Sequence, residues 1–244
     1  MNKTTLPAAL AALLVGASVF AAPAEQKEEP EIPKPDTPVI MIGDSMMRIL
    51  GREMEKAFKK ADVQPAVAFS SLGSGLGRPS AFNWTAKIRE LLDEHKPKTV
   101  FVCLGTNDRQ ALELDSAVIK YETADLWRAT YAKLIGGVMD QLIEGGVTRV
   151  IWMLLPDMKE SIAQEHAQLV NAIIAEQAQA ENRKDIVTLL DLSPMLSRRP
   201  GKYSQYVMSP TGESLTVRDP DGVHLSVDGG KIISQAVLKK YWKK

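Results

Sequence analysis

The chain has 244 residues, 45% apolar and 25% charged, which is ordinary for a globular protein built on one main domain. Lysine and arginine number 30, as do aspartate and glutamate, so the formal net charge is zero. This balance argues against nucleic-acid binding, which usually brings a basic excess. A single cysteine, Cys103, leaves no internal disulfide and no cysteine metal cluster, and its apolar surroundings predict a core residue.

Residues 1–24 have the pattern of a signal peptide. Lys3 supplies a positive charge, residues 6–20 are apolar and alanine-rich, and Ala21 and Ala24 offer cleavage sites. Because the apolar run is short for a membrane span, we expect a cleaved, periplasmic or secreted protein without stable membrane insertion. An uncleaved anchor is the open alternative.

Residues 25–37 are rich in proline, glutamate and lysine, which predicts a disordered or extended linker before a folded domain at residues 38–244. Apolar runs predict strands at residues 39–42, 66–70, 100–104, 150–155 and 186–190. Amphipathic stretches predict helices at residues 47–60, 86–94, 125–144, 159–182 and 227–241. Strands that are apolar on both faces and alternate with helices predict an α/β fold with a parallel sheet.

Two segments depart from this alternation. Residues 109–123, after the third strand, look like an insertion or lid. Residues 194–220, after the fifth strand, are rich in Ser, Gly, Pro and Arg and predict a long loop. We expect this loop to form one wall of the site, with Tyr203 and Tyr206 available to stack on a sugar.

Polar residues follow the predicted strands at the edge where parallel α/β sheets bind ligands. The first strand ends in Gly43-Asp44-Ser45, where Ser45 is either a nucleophile at a helix N-terminus or, with Asp44, only a helix cap. The third strand leads into Gly105-Thr106-Asn107-Asp108, where Asn107 is either an oxyanion donor or a turn residue.

A glycine-rich loop follows the second strand, with glycines at Gly73, Gly75 and Gly77. It lets the backbone approach a ligand closely, or it is only a flexible turn. The spacing is neither Gly-x-Gly-x-x-Gly nor that of a P-loop, which disfavours a nucleotide-binding domain.

The histidines differ in their sequence context. In Asp221-Gly222-Val223-His224, the carboxylate and the imidazole can meet within one turn. They are either a general base with the carboxylate that orients it, or two surface residues. His95 stands just after the predicted helix 86–94 and His166 lies within the predicted helix 159–182, and we expect a surface role for each. Because the histidines show no metal-ligand spacing, we expect neither a metal nor an organic cofactor.

Taken together, these blocks resemble the SGNH (GDSL-type) hydrolase superfamily, which is marked by Gly-Asp-Ser, a glycine after strand two, Gly-x-Asn-Asp and Asp-x-x-His. More narrowly, residues 75–84, 107–110 and 221–225 look like the bacterial DUF459 branch. The resemblance covers about residues 38–240. It implies a flavodoxin-like three-layer α/β/α sandwich with a five-stranded parallel sheet, forming an SGNH-type hydrolase domain.

The resemblance also implies a role for each block. Ser45 would be the nucleophile, His224 the general base and Asp221 the residue that orients the imidazole. The oxyanion hole would consist of the Ser45 N–H, the Gly75 N–H and the Asn107 side chain. Gly75 is preferred over the other loop glycines because Ser-Gly stands at this point in the family.

The expected function is an exported serine esterase that cleaves an O-acyl ester, in particular O-acetyl, through an acyl-enzyme. A small molecule or a carbohydrate such as a cell-envelope glycan would be the substrate. The alternatives are an O-acyltransferase using the same site and a non-catalytic, envelope-associated binding module. Residues that follow the catalytic strands are candidate substrate contacts: Arg78, Phe82, Trp84, Arg109 and Gln110. Core packing is the alternative for Trp84, and a structural salt bridge for Arg109.

Overall fold

The computed structural model describes residues 38–242, apart from residues 64, 115–116 and 200. The signal peptide and linker predicted for residues 1–37 lie outside the described residues. The strands are β1 Val39–Gly43, β2 Ala66–Ser70, β3 Thr99–Cys103, β4 Leu112–Leu114, β5 Ala117–Ile119, β6 Arg149–Leu154, β7 Val187–Asp191, β8 Tyr206–Met208 and β9 Ser214–Thr216. The helices are α1 Ser45–Lys60, α2 Trp84–His95, α3 Ala124–Glu144, α4 Ser161–Ala178, α5 Ser193–Leu196 and α6 Val227–Tyr241.

Five of the strands form a parallel sheet in the order β2-β1-β3-β6-β7. Helix α1 packs against α6, and α3 packs against α2 and α4, so helices flank the sheet. Strands β1 and β3 are buried along their whole length because both faces are covered, and each fully buried large apolar side chain contributes about 1.5–3 kcal/mol. The predicted flavodoxin-like three-layer α/β/α sandwich is confirmed.

The strand order reverses between β1 and β3, because the chain passes from β1 to β2 on one side and from β3 to β6 on the other. Connections that leave two adjacent strands in opposite directions open a crevice beyond the carboxyl ends of those strands. Ser45 directly follows β1, and Asn107 lies in the loop after β3. Both candidate residues therefore lie at the crevice of this sheet.

The predicted helices and strands are all present; β2 and α6 have the predicted ends, and the ends of the others are shifted. The largest shift is in α4, predicted over residues 159–182 and observed over Ser161–Ala178. Beyond Ala178 the chain turns instead of continuing the helix, and the Gln177 carbonyl accepts hydrogen bonds from the Ala180 N–H at 3.4 Å and from the Arg183 guanidinium at 3.2 Å. The Arg183 guanidinium also pairs with Asp140 on α3, which ties this turn to the neighbouring helix.

Each of the two irregular segments contains a small hairpin that the sequence did not predict. Strands β4 and β5 lie within the predicted insertion, and β8 and β9 within the predicted long loop. Each of these strands has three residues, too few to show an alternating pattern. Across the described part of the chain, no helix combines the length and apolar character needed to cross a membrane.

Candidate active site

Ser45, Asp221 and His224 lie together, although Ser45 and His224 are 179 positions apart. His224 Nε2 is 2.8 Å from Ser45 Oγ, and His224 Nδ1 is 2.5 Å from Asp221 Oδ2. The His224 side chain is 31% exposed and that of Asp221 48%. The structure thus brings a hydroxyl, an imidazole and a carboxylate into one hydrogen-bonded row at the crevice, open to solvent.

The protonation of this row follows from Asp221. Burial opposes ionisation of its carboxyl, but hydrogen bonds from the His224 side chain and from the Val223 and His224 backbone N–H groups outweigh it and lower the pKa to about 2. An ionised carboxylate only accepts hydrogen bonds, so His224 Nδ1 carries the proton that lies between them. In the neutral imidazole, Nε2 is then the acceptor for the Ser45 hydroxyl.

The buried carboxylate of Asp44 starts helix α1 and thereby places Ser45. Its Oδ1 accepts from the Met46 N–H at 2.9 Å, the hydrogen bond of a helix N-cap. Its Oδ2 accepts from the Thr106 N–H at 3.1 Å, which ties the start of α1 to the loop after β3. Burial raises the Asp44 pKa to about 6. Because Asp44 caps the helix, the Ser45 hydroxyl is left to bond with His224.

Asn107 contacts the glycine-rich loop directly. Its Nδ2 donates to the Ser74 carbonyl at 2.8 Å, on the peptide that joins Ser74 to Gly75. Within the described residues, the Gly75 N–H has no hydrogen-bond partner. The second Nδ2 proton of Asn107 likewise has no acceptor among the described residues, and the oxyanion-hole role of these two groups stays a prediction. Gly73, by contrast, is exposed, and a Cβ placed on it would meet no atom within 4 Å.

Asp108 holds the glycine-rich loop in place, a role that the sequence did not reveal. The side chain is fully buried, and it accepts hydrogen bonds from the Leu76 N–H at 3.1 Å and the Gly77 N–H at 2.9 Å. The Tyr131 hydroxyl donates to it at 2.7 Å, and burial raises the pKa of that phenol well above its usual value. The only sequence signal was its place in the Gly-x-Asn-Asp block.

We predict that Gly75→Ala destabilises the protein. A Cβ at this position would lie 2.1 Å from Asp108 Oδ1, so the buried carboxylate or the loop backbone must move. Overpacking of this kind costs about 1–3 kcal/mol in the free energy of unfolding, measurable by urea denaturation. The matched control is Gly137→Ala in α3, where a Cβ meets nothing within 4 Å and helix propensity favours alanine. Equal stability of the two variants would contradict this account of the loop.

Comparison with known proteins gives the family. A profile described as "Protein of unknown function (DUF459)" matches residues 38–240. The chain belongs to the DUF459 family. This confirms the resemblance predicted from the sequence motifs. No curated protein sequence matches this DUF459 protein.

Solved structures share the fold of this DUF459 protein at low sequence identity. The lipase/acylhydrolase from Enterococcus faecalis is 17% identical, with a TM-score of 0.56, over 85% of this chain and 98% of its own. A lipolytic protein of the G-D-S-L family from Veillonella parvula is 15% identical, with a TM-score of 0.56, over 85% and 99%. A family two carbohydrate esterase from Clostridium thermocellum, solved with cellohexaose, is 11% identical, with a TM-score of 0.53, over 84% and 64%. The predicted SGNH-type fold is therefore confirmed.

The prediction that Trp84 contacts substrate is wrong for this DUF459 protein. Its side chain is only 2% exposed, because it packs at the start of α2 against Phe69 and Phe82. The indole Nε1 donates to Ser74 Oγ at 3.1 Å, so Trp84 supports the glycine-rich loop from its buried side. Phe82, another candidate contact, is partly buried against the core beside it.

The remaining candidate contacts stay predictions. Arg78 is half-buried, and Arg109 is exposed with its guanidinium 5.3 Å from the centre of the Tyr121 ring. Gln110 donates from Nε2 to the Asn107 carbonyl at 2.8 Å, so its amide nitrogen already holds the loop beside the site.

The two tyrosines of the loop after β7 differ in availability. Tyr203 is half-buried, and its ring centre lies 5.1 Å from the Arg218 guanidinium carbon, so one face of the ring is occupied. Tyr206 is exposed on β8. Stacking of either tyrosine on a sugar stays a prediction.

The prediction of a surface role for His166 is also wrong. The side chain is 3% exposed, with Nε2 at 2.9 Å from the Gly105 carbonyl, and burial lowers the pKa of its imidazole. His95, at the end of α2, is partly exposed. Cys103 is buried as predicted. Among the described residues, no three His, Cys, Asp or Glu side chains gather in a way that could hold a metal ion.

Proposed function

We propose that this DUF459 protein is an exported serine esterase that removes an acyl group, acetyl in the form we favour, from a carbohydrate or cell-envelope glycan. The observation that carries the proposal is the row from Asp221 through His224 to Ser45, with distances of 2.5 and 2.8 Å. An imidazole bonded to a serine hydroxyl on one nitrogen and to an ionised carboxylate on the other is suited to activate that hydroxyl.

In the acylation step, Ser45 Oγ attacks the ester carbonyl carbon while His224 Nε2 takes the hydroxyl proton. The negative charge that develops on the carbonyl oxygen is stabilised by the Ser45 and Gly75 N–H groups and by Asn107 Nδ2. Each such donor contributes about 3 kcal/mol in comparable sites. The intermediate then expels the alcohol, which receives the proton from His224, and the acyl group remains on Ser45.

In the deacylation step, water takes the place of the departed alcohol. His224 accepts a proton from the water, whose oxygen attacks the acyl carbon, and the carboxylic acid leaves as Ser45 regains its proton. A sugar hydroxyl in the position of this water would receive the acyl group instead, and the same residues would then act as an O-acyltransferase.

Three further observations support the cellular and chemical setting of the proposal. The signal-peptide pattern of residues 1–24 supports export to the periplasm or beyond. The likeness in fold to a carbohydrate esterase solved with cellohexaose supports a glycan ester as substrate. The solvent exposure of His224 and Asp221 is compatible with a bulky substrate that reaches the site from outside.

The test is to identify the labelled residue and then the substrate. We expect a fluorophosphonate probe to label the folded protein once, with peptide mapping placing the label on Ser45. The protein should also release acetate from a panel of acetylated sugars or from p-nitrophenyl acetate. Acyl transfer to added sugar faster than to water would favour the acyltransferase. A folded protein that neither takes the label at Ser45 nor turns over any ester would overturn the proposal.

We predict that Asp221→Asn lowers kcat about 10²–10⁴-fold with little change in stability. An asparagine amide donates to His224 Nδ1, which moves the ring proton to Nε2 and removes the acceptor for the Ser45 hydroxyl. Because the pKa of Asp221 is about 2, the wild-type carboxyl stays ionised at mildly acidic pH and adds no inflection of its own there to the pH–rate profile. The matched control, Asp219→Asn in the same loop, should keep kcat, and equal losses in the two variants would contradict the assignment.

A further inference from the structure

A buried guanidinium lies beneath the loop that carries Asp221 and His224. Arg218 is 1% exposed, although it belongs to an otherwise polar loop segment. Its Nη1 donates to the Asp157 carbonyl at 2.6 Å, and its Nη2 donates to the Val223 carbonyl at 2.7 Å. The first carbonyl lies in the loop after β6 and the second lies between the two candidate catalytic residues, so one guanidinium connects both loops.

Arg218 makes three longer contacts in the same place. Nη2 is 3.4 Å from the Gly222 carbonyl and 3.4 Å from the Met158 sulfur, and Nε is 3.4 Å from the His224 carbonyl. The acceptors thus include the carbonyls of three consecutive residues of the loop, ending with His224 itself. Among the residues that the structure describes, no carboxylate accepts a hydrogen bond from this guanidinium.

Such a buried cation must be stabilised by its surroundings, since burial alone disfavours charge. Burial lowers the Arg218 pKa to about 10, while the nearby Tyr203, Asp221 and Asp157 act in the opposite direction. The side chain therefore stays charged at neutral pH. Its charge is balanced by backbone carbonyl dipoles and the Tyr203 ring, not by an ion pair.

The backbone of the same loop is also held by its hydrogen bonds to the Asp221 side chain and by backbone hydrogen bonds within the loop and to the neighbouring loop. The Asp219 N–H donates to the His224 carbonyl at 2.9 Å, the Gly222 N–H to the Asp219 carbonyl at 3.1 Å, and the Lys159 N–H to the Gly222 carbonyl at 3.2 Å. The Asp221 and His224 side chains are partly exposed on the outer side of this loop. Arg218 therefore adds side-chain hydrogen bonds to the loop carbonyls on the buried side.

We propose that Arg218 is a positioning residue for catalysis: by binding the Val223, Gly222 and His224 carbonyls and the Asp157 carbonyl, it fixes the His224 imidazole between Asp221 and Ser45. Arg218 does not touch the reacting atoms. The inference rests on the proposed esterase function for its kinetic consequence, but the position of His224 can be measured without any substrate.

The experiment compares Arg218→Met and Arg218→Lys with Arg149→Met. Methionine keeps much of the side-chain volume but donates no hydrogen bond, whereas lysine keeps the charge and can still donate to the Val223 carbonyl. Arg149 is the matched control, because it is also buried but is the first residue of β6. It therefore lies at the amino-terminal end of the parallel strands, opposite to the end that forms the crevice. Thermal unfolding gives the folded fraction of each variant.

For the folded Arg218→Met protein we expect kcat for p-nitrophenyl acetate to fall about 10²-fold with KM nearly unchanged, since a base displaced by about an ångström costs this much. Arg218→Lys should recover part of kcat. The downfield proton resonance of His224 Nδ1–H, which reports its hydrogen bond to Asp221, should be lost in Arg218→Met and kept in Arg149→Met.

Two results would overturn the inference. One is an unchanged Nδ1–H resonance in folded Arg218→Met or, where that variant does not fold, in Arg218→Lys. The other is an equal loss of kcat in Arg149→Met, which would indicate general destabilisation. An inactive wild-type protein whose resonance still depends on Arg218 would instead contradict the esterase function and leave the positioning role standing.

Discussion

The Ser45→Ala variant is expected to lose ester hydrolysis by about five to six orders of magnitude in kcat, which is the effect of removing the nucleophile from comparable triads. The hydroxyl is the group that forms the covalent intermediate, and neither water nor a neighbouring side chain can replace it in that step. KM should change little, because Ser45 Oγ contributes little to binding the rest of the substrate. Initial rates with p-nitrophenyl acetate, and labelling by a fluorophosphonate, measure the loss.

The variant should remain folded, since the structure gives the helix cap to Asp44 and not to Ser45. Loss of one partly exposed hydroxyl changes the free energy of unfolding by about 0.5 kcal/mol or less. Ser80→Ala, at an exposed serine after the glycine-rich loop, is the control and should keep full activity. Undiminished labelling of folded Ser45→Ala would rule out Ser45 as the nucleophile.

The His224→Ala variant is expected to lose nearly as much activity as Ser45→Ala. Without the imidazole there is no acceptor for the Ser45 proton, and the proton of the leaving alcohol has no donor. Residues that act as one unit are strongly non-additive, so Ser45→Ala/His224→Ala should be about as slow as either single variant. Single-turnover and steady-state rates of the three variants give this comparison directly.

The control for this series is His95→Ala, at the end of α2 and remote from the crevice. It should keep both activity and the rate of labelling. A double variant much slower than each single variant would mean that Ser45 and His224 act independently, which would contradict a shared proton transfer between them.

The fold could be predicted from the sequence because each sheet strand is a short apolar run on its own. The predicted runs at residues 39–42 and 100–104 are buried from end to end, and no polar residue lies in them. The two hairpins were not predicted, since their three-residue strands are held by the loops around them and carry no pattern of their own.

The residues of the candidate site also differ in whether the sequence could reveal them. Ser45, Asn107, Asp221 and His224 were found because their residue types and spacing follow from the proposed chemistry, and the structure brings Ser45, Asp221 and His224 within hydrogen-bond reach of one another and places Asn107 at the neighbouring glycine-rich loop. Their catalytic roles stay predictions until the variants above are measured.

The sequence did not reveal the supporting roles of Asp108 and Arg218, and it offered core packing only as the alternative for Trp84, because such roles depend on burial and on partners distant in sequence. Asp108 holds a loop more than thirty positions away, and Trp84 bonds to the same loop from a helix start. Arg218 stands in a polar, proline-containing segment where a solvated arginine is the ordinary expectation. In all three, the tertiary contact decides the role, and a local pattern cannot reveal it.

Helices α1 and α6 pack against each other next to the candidate site. Helix α1 begins at Ser45 and α6 begins just after His224, and the two helices pack so closely that a Cβ on Gly230 would lie 3.2 Å from Ile49 and 3.1 Å from Glu53. The α1–α6 contact therefore connects the helix that carries Ser45 to the helix that follows the His224 loop. Within the proposed mechanism, we expect substitutions along this buried contact to shift Ser45 relative to His224 and so to change kcat in the same proportion for different esters, which would let the overall rate evolve without a change in the preferred substrate.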